Sequence, residues 1–206
     1  MPIITPPLDD HPSFEADEST AILRTKLYRP SLPRDLVPRA EMVARLEVLR
    51  HRPVTLISSA AGYGKSTMAS LWLEAWGGAY GWVSLDENEN DLRLFLSYLL
   101  AAIQNAVPGA CEKTQLLIGA SELPPLPVLS RYLLNDLDEI KAPFILVLDD
   151  FHNIHEKAVI DLMTAILTYP PRNLHLMLLA RRDPSLVTSV LRARGQVNEI
   201  GASELR

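Results

Sequence analysis

Val54-Thr55-Leu56-Ile57-Ser58, then Ser59-Ala60-Ala61-Gly62-Tyr63-Gly64-Lys65-Ser66, then Thr67-Met68-Ala69-Ser70-Leu71-Trp72-Leu73 is the stretch on which the reading of this chain turns. A short apolar run feeds a glycine-rich turn, and the turn opens an amphipathic helix at Lys65-Ser66. That order of strand, loop and helix is the context a phosphate-binding loop requires. Gly62 and Gly64 let successive N–H groups turn inward as a nest for phosphate oxygens, and the helix adds its partly positive N-terminus. Lys65 can then reach the β- and γ-phosphates, the Ser66 hydroxyl can ligate Mg²⁺, and Thr67 faces the α-phosphate. The pattern G-x-x-x-x-G-K-[ST] is met except at its first glycine, where Ser59 stands. A glycine turn capping a helix, with a solvated lysine, is the competing reading of the octapeptide alone. A dinucleotide fingerprint fits less well, because it needs glycine where Thr67 stands.

A second informative stretch is Phe144-Ile145-Leu146-Val147-Leu148-Asp149-Asp150. A continuous apolar run between helical patterns indicates a strand buried on both faces, as in a parallel sheet. Two acids at its C-terminal end put charge where open α/β sheets bind ligands. In a Walker B role Asp149 holds Mg²⁺ and Asp150 orients the water that attacks the γ-phosphate. An Asp-Asp cap after a core strand is the alternative. A further apolar run, Leu174 to Ala180, leads into Arg181-Arg182-Asp183-Pro184, where Arg181 is placed to neutralise a γ-phosphate or simply to form a surface pair with an acid. His152 and His155 lack the further Cys or His ligands that zinc needs.

Composition sets the bounds. The chain has 206 residues, 48% of them apolar, enough for one α/β domain with a core. A net charge of −5 gives no basic footprint for nucleic acid. The single cysteine, Cys111, cannot form an internal disulfide, which fits a reducing cytoplasm. No apolar run approaches the roughly 20 residues of a membrane span. Residues 1–22, rich in proline and acids, read as a mobile tail. The segment from Leu23 to Arg39 is proline-punctuated and basic, expected to lie extended over a ligand or to wrap the surface without regular structure.

The remaining periodicities predict helices over 40–51, from Lys65 to Gly77-Gly78, from Leu92 to Val107 behind an Asn90 or Asp91 cap, from Leu129 to Ile140, over 156–169 and over 185–194. Strands are expected at 79–85 and 196–200, and residues 111–127 as an irregular connector. Trp72 and Trp76 are expected in the core. The domain so defined covers 23–201, and 202–206 reads as the start of a following domain.

Together, several stretches resemble the ATPase module of large LuxR-type, MalT-like transcription regulators, within the STAND class of P-loop ATPases. They are Arg24 to Pro30, Leu36-Val37-Pro38-Arg39, Ala61 to Ser66, Trp82 to Asp86, Leu146 to Asp150, and Arg181 to Pro184 with Leu191 to Gln196. The resemblance implies an α/β P-loop NTPase fold (AAA+/STAND-like), a three-layer sandwich on a parallel five-stranded sheet of order 5-1-4-3-2. It implies ATP/ADP and Mg²⁺ as cofactors, held by Ala61, Gly62, Tyr63, Gly64, Lys65, Ser66 and Thr67, with Ser66 and Asp149 on the metal. Asp150, Lys65 and Arg181 would carry catalysis, and Val37 and Arg39 would lie near adenine. Such proteins act as switches, with ADP holding a closed monomer and ATP plus an inducer allowing self-association. Contacts with DNA and with a small-molecule or protein inducer would lie in domains beyond these residues. The resemblance departs at Ser59-Ala60, where the family more often has Ala-Pro. A stand-alone P-loop ATPase or small-molecule kinase is the alternative function.

Overall fold

Along Phe144–Asp149 and Leu174–Ala180 successive side chains divide between two cores, as the period of two of a β-strand dictates. Leu146, Leu148, Leu176 and Leu178 face one core, while Ile145, Val147, Met177 and Leu179 face the other. Both strands are buried along their whole length, which explains why their sequences run apolar without alternation. The computed structural model describes residues 22–32, 39–184, 186 and 189–205. The expected mobile tail, apart from Ile22, and Val37 lie outside the described residues.

Five strands form one parallel sheet: β1 (Val54–Ser58), β2 (Ala79–Ser84), β3 (Phe144–Asp149), β4 (Leu174–Ala180) and β5 (Val197–Ile200). Their order, β2-β3-β4-β1-β5, is 5-1-4-3-2 read from the other edge. Helices α1 (Ala40–Val48) and α2 (Lys65–Trp76) cover one face. Helices α3 (Leu92–Ala106), α4 (Glu112–Ile118), α5 (Leu126–Glu139) and α6 (Lys157–Thr168) supply the core of the other, and α7 (Ser189–Ala193) precedes β5.

Strand register decides what can meet. Ser58 lies beside Ala180, Asp149 beside Ser84 and Leu148 beside Leu178, so the chain leaves β1, β3 and β4 at the same edge of the sheet. Because β4 sits between β1 and β3, Arg181 emerges between the glycine-rich loop and the acidic pair.

Two expectations are corrected. Residues 112–118 form α4 rather than part of an irregular connector. Periodicity missed it because its order comes from tertiary bonds. The Thr114 N–H and hydroxyl both donate to one oxygen of buried Asp136 on α5, each at 2.8 Å. The segment after Leu23 contains a short 3₁₀ turn at Arg24–Leu27 and wraps the outer edge of β2. There Lys26 pairs with Asp86 and with fully buried Glu89, at 2.7 and 2.6 Å, and Arg29 donates to the Ser70 carbonyl at 3.0 Å. Of the two tryptophans, Trp72 is fully buried and Trp76 half-buried beneath the Arg50 guanidinium, 3.9 Å above its ring. At the other end of the chain Leu205 is buried against Leu46 and Ile200, and Glu204 pairs with Arg45 of α1. Among the described residues no helix is long and apolar enough to cross a membrane.

Candidate nucleotide-binding site

The loop between β1 and α2 takes the conformation its glycines permit. Gly62 and Gly64 have φ of +83° and +80°, left-handed backbone that an L side chain would strain by about 1–2 kcal/mol. Ser59 anchors the start of the loop through its N–H to the Ala180 carbonyl, 3.2 Å away, tying it to the end of β4. Its hydroxyl, which replaces the expected glycine, is buried without a partner. The ammonium of Lys65, only 7% exposed, donates to the carbonyls of Ser59 and Ala60 at 3.0 and 3.2 Å. Ala61 and Gly62 are exposed on the loop, Tyr63 packs on the second core, and Ser66 and Thr67 are half-buried on the first turn of α2.

The two motifs meet here. The Ser66 hydroxyl lies near enough to the carboxylate of Asp149 to favour its charged form, so the first turn of the loop helix faces the end of β3. Asp149 is buried, and burial raises its pKa, helped by the neighbouring Asp150 charge and opposed by the nearby Ser66 hydroxyl, the Asp150 N–H and the Lys65 charge. Its Oδ1 accepts the Asp150 N–H at 2.8 Å. Asp150 itself has φ +55° and ψ +34°, a left-handed residue that turns the chain sharply out of the sheet. Aspartate tolerates this region better than most side chains.

That turn presents a residue to which sequence reasoning gave no role. His152 lies in the 3₁₀ turn Phe151–Asn153 with its Nδ1 3.7 Å from an Asp150 oxygen, and that nitrogen is buried without a hydrogen-bond partner. Burial lowers the pKa of His152 against the opposing charge of Asp150, and Arg181, Lys65 and Arg182 push it further down. A cavity of 470 Å³ is lined by Glu87, His152, Asn153, His155, Arg181 and Arg182. A polar residue two positions after the acidic pair was the available signal.

Arg39 comes to the loop from the other side. A side-chain carbon on Gly64 would stand 3.7 and 3.8 Å from its guanidinium nitrogens, and its Nη1 is buried with no protein acceptor. A buried cationic donor lacking an acceptor, above a glycine-rich loop at a helix N-terminus, suits an anionic group. The hydroxyl of Ser66 and the carboxylate of Asp149 are hard oxygen donors of the kind Mg²⁺ takes when phosphates and water complete its shell. Among the described residues no cluster of three His, Cys, Asp or Glu could cage a metal alone. The residues present thus fit a magnesium nucleotide.

The chain is 36% identical over 184 residues to the HTH-type transcriptional regulator MalT of Klebsiella pneumoniae. The chain is MalT-like, with a P-loop NTPase fold. That alignment covers 89% of the chain, which spans only one fifth (20%) of the relative's length. A signal transduction ATPase (STAND) protein of Pyrococcus horikoshii with a tetratricopeptide-repeat sensor superposes with a TM-score of 0.53 at 15% identity. That match takes in 84% of this chain and 24% of the other. Cdc6p of Pyrobaculum aerophilum gives 0.55 at 14% identity, over 86% and 49% of the two chains. No protein-family profile matches the sequence. The fold that the resemblance implied, including the strand order, is the one found.

Proposed function

We propose that this chain binds ATP and ADP with Mg²⁺ and serves as the nucleotide switch of a transcription regulator, hydrolysing ATP slowly to reset itself. The observation that carries the reading is the juxtaposition of the two motifs: β1 and β3 end at the same edge of the sheet, so the glycine-rich loop with buried Lys65 stands beside the acidic strand end at Asp149. The N–H groups of the loop and the Lys65 ammonium hold the β- and γ-phosphates, Lys65 leaving its two carbonyl partners to do so. Ser66 and Asp149 hold Mg²⁺, which when bound neutralises phosphate charge and orients the nucleotide. Arg39 donates from above Gly64, and the placing of Val37 near adenine, outside the described residues, rests on the family resemblance alone. Asp150 orients the attacking water, His152 steadies Asp150, and Arg181 stabilises charge on the transferred phosphoryl group. The half-exposed position of Asp150 leaves room for water at its carboxylate.

Recognition of DNA and of an inducer is assigned to parts of the longer relatives that this chain does not span, and ATP-dependent self-association would carry the signal between copies. Calorimetric titration with ADP and with ATP, in Mg²⁺, beside Lys65→Ala, tests the reading. Micromolar binding that Lys65→Ala abolishes is the expected result. A folded chain that binds neither nucleotide overturns it.

A further inference from the structure

We propose that Asn90 is a positioning residue for hydrolysis, its carboxamide clamping the turn that carries His152 against Asp150. The inference rests on the nucleotide-hydrolysing reading above. Asn90 lies in a different loop from the acidic strand end, the turn after β2, and its side chain bonds only backbone groups. Its Nδ2 donates to the Glu87 carbonyl at 3.0 Å and to the Asn153 carbonyl at 2.9 Å. Its Oδ1 accepts the N–H groups of His155 and Glu156, both at 2.8 Å. Two donors and two lone pairs are a carboxamide's whole capacity, and all four are used. Backbone N–H groups can only donate and carbonyls only accept, so the amide has one possible orientation.

The clamp has a rigid base. Asn90 ends the 3₁₀ turn Glu87–Asn90, which a capping box closes. Asp86 accepts the Asn88 N–H at 2.8 Å, and Glu89 accepts the Asp86 N–H at 2.7 Å. Glu89 is fully buried and tied to Lys26. Asp91 then caps α3 through the Leu94 N–H at 2.8 Å. The clamped turn is thus held at its far end by Asn90, and also by Asn153, whose side chain donates to the Leu85 carbonyl at 3.1 Å. At its near end is Asp150, left-handed and departing directly from β3. His152 hangs between these two fixed points with Nδ1 unpartnered, so no hydrogen bond from that nitrogen sets its distance from Asp150. The backbone sets that distance, and Asn90 sets the backbone.

The test compares Asn90→Ala, Asn90→Asp and Asp91→Ala in the intact chain. Asp91→Ala removes the neighbouring helix cap but none of the four Asn90 bonds, so it reports what mere loss of stability does. Readouts are kcat and KM for ATP, Kd for ADP, Tm, and the His152 imidazole resonance by NMR, assigned by its disappearance in His152→Gln. Asn90→Ala is expected to lower kcat by about tenfold to a hundredfold, the scale of a displacement near 1 Å, with KM and Kd within about twofold. It should also shift the His152 resonance without nucleotide present. Asn90→Asp keeps the two acceptor bonds and should recover part of kcat. Asp91→Ala should lower Tm yet leave kcat and the resonance unchanged. An Asn90→Ala protein with normal kcat, an unmoved His152 resonance, or an equal kcat loss in Asp91→Ala overturns the proposal. A wild-type chain that binds no nucleotide sinks the reading beneath it instead, while the resonance still shows whether Asn90 holds the turn.

Discussion

His175 ties three strands together, and acid should undo it. Its ring lies in β4, 5% exposed, edge-on to Trp72, with Nδ1 3.2 Å from the Arg50 carbonyl and Nε2 2.9 Å from the Thr55 hydroxyl of β1. A carbonyl only accepts, so Nδ1 carries the proton and Nε2 must accept from Thr55. Thr55 Oγ1 in turn receives the Asn198 amide of β5 at 3.4 Å. A second proton on the ring would turn Nε2 into a donor facing Thr55 and break the order of the relay. Burial accordingly depresses the pKa of His175 to about 4, from an ordinary 6.5. Because the folded form binds its proton less readily than the unfolded form, His175 takes stability away as pH falls below 6.5. At about 1.4 kcal/mol per pH unit, the gap of about 2.5 units amounts to about 3 kcal/mol by pH 4. The assay is urea unfolding of wild type and His175→Gln from pH 8 to pH 4. Asp149, raised by burial, acts with the opposite sign, and His152, lowered, with the same sign. Both remain in the variant and cancel in the difference between the two curves. Wild type should lose about 3 kcal/mol more than the variant across this range. Parallel curves would refute the reasoning.

Two further outcomes follow from the geometry. Gly64→Ala should weaken nucleotide binding and lower stability by about 1–2 kcal/mol through backbone strain alone, since the added carbon meets Arg39 and Thr67 only at ordinary contact distance. Urea unfolding and calorimetry read the two effects, and a loss no larger than that of an exposed helical substitution would count against the strained loop. Lys26→Met leaves the fully buried Glu89 without its cation and should cost about 3 kcal/mol, measured by urea unfolding. Adding Glu89→Gln should restore part of that loss, because the charge to be desolvated is gone, and failure to recover would mean the pair contributes through packing instead.

How much of this was legible in advance depends on the range over which each feature is held. The glycine-rich loop, the buried strand ending in Asp149-Asp150 and the helices of strong period were readable because each rests on neighbours in sequence. Backbone sterics select Gly62 and Gly64, and burial on both faces of a parallel sheet selects the apolar run from Phe144 to Leu148. Where local pattern was weak, α4 escaped notice, since seven residues become helical only once Thr114 finds Asp136 on another helix. The family resemblance already implied that β4 separates β1 from β3, but only the register of the folded sheet decided which residues converge on Asp149. It also decided that Arg39 lies over Gly64, that a left-handed Asp150 brings His152 back to its own carboxylate, and that Asn90 closes on the backbone of 153–156. These contacts join segments far apart in the chain. No local periodicity encodes them, because their partners are chosen by strand order and register.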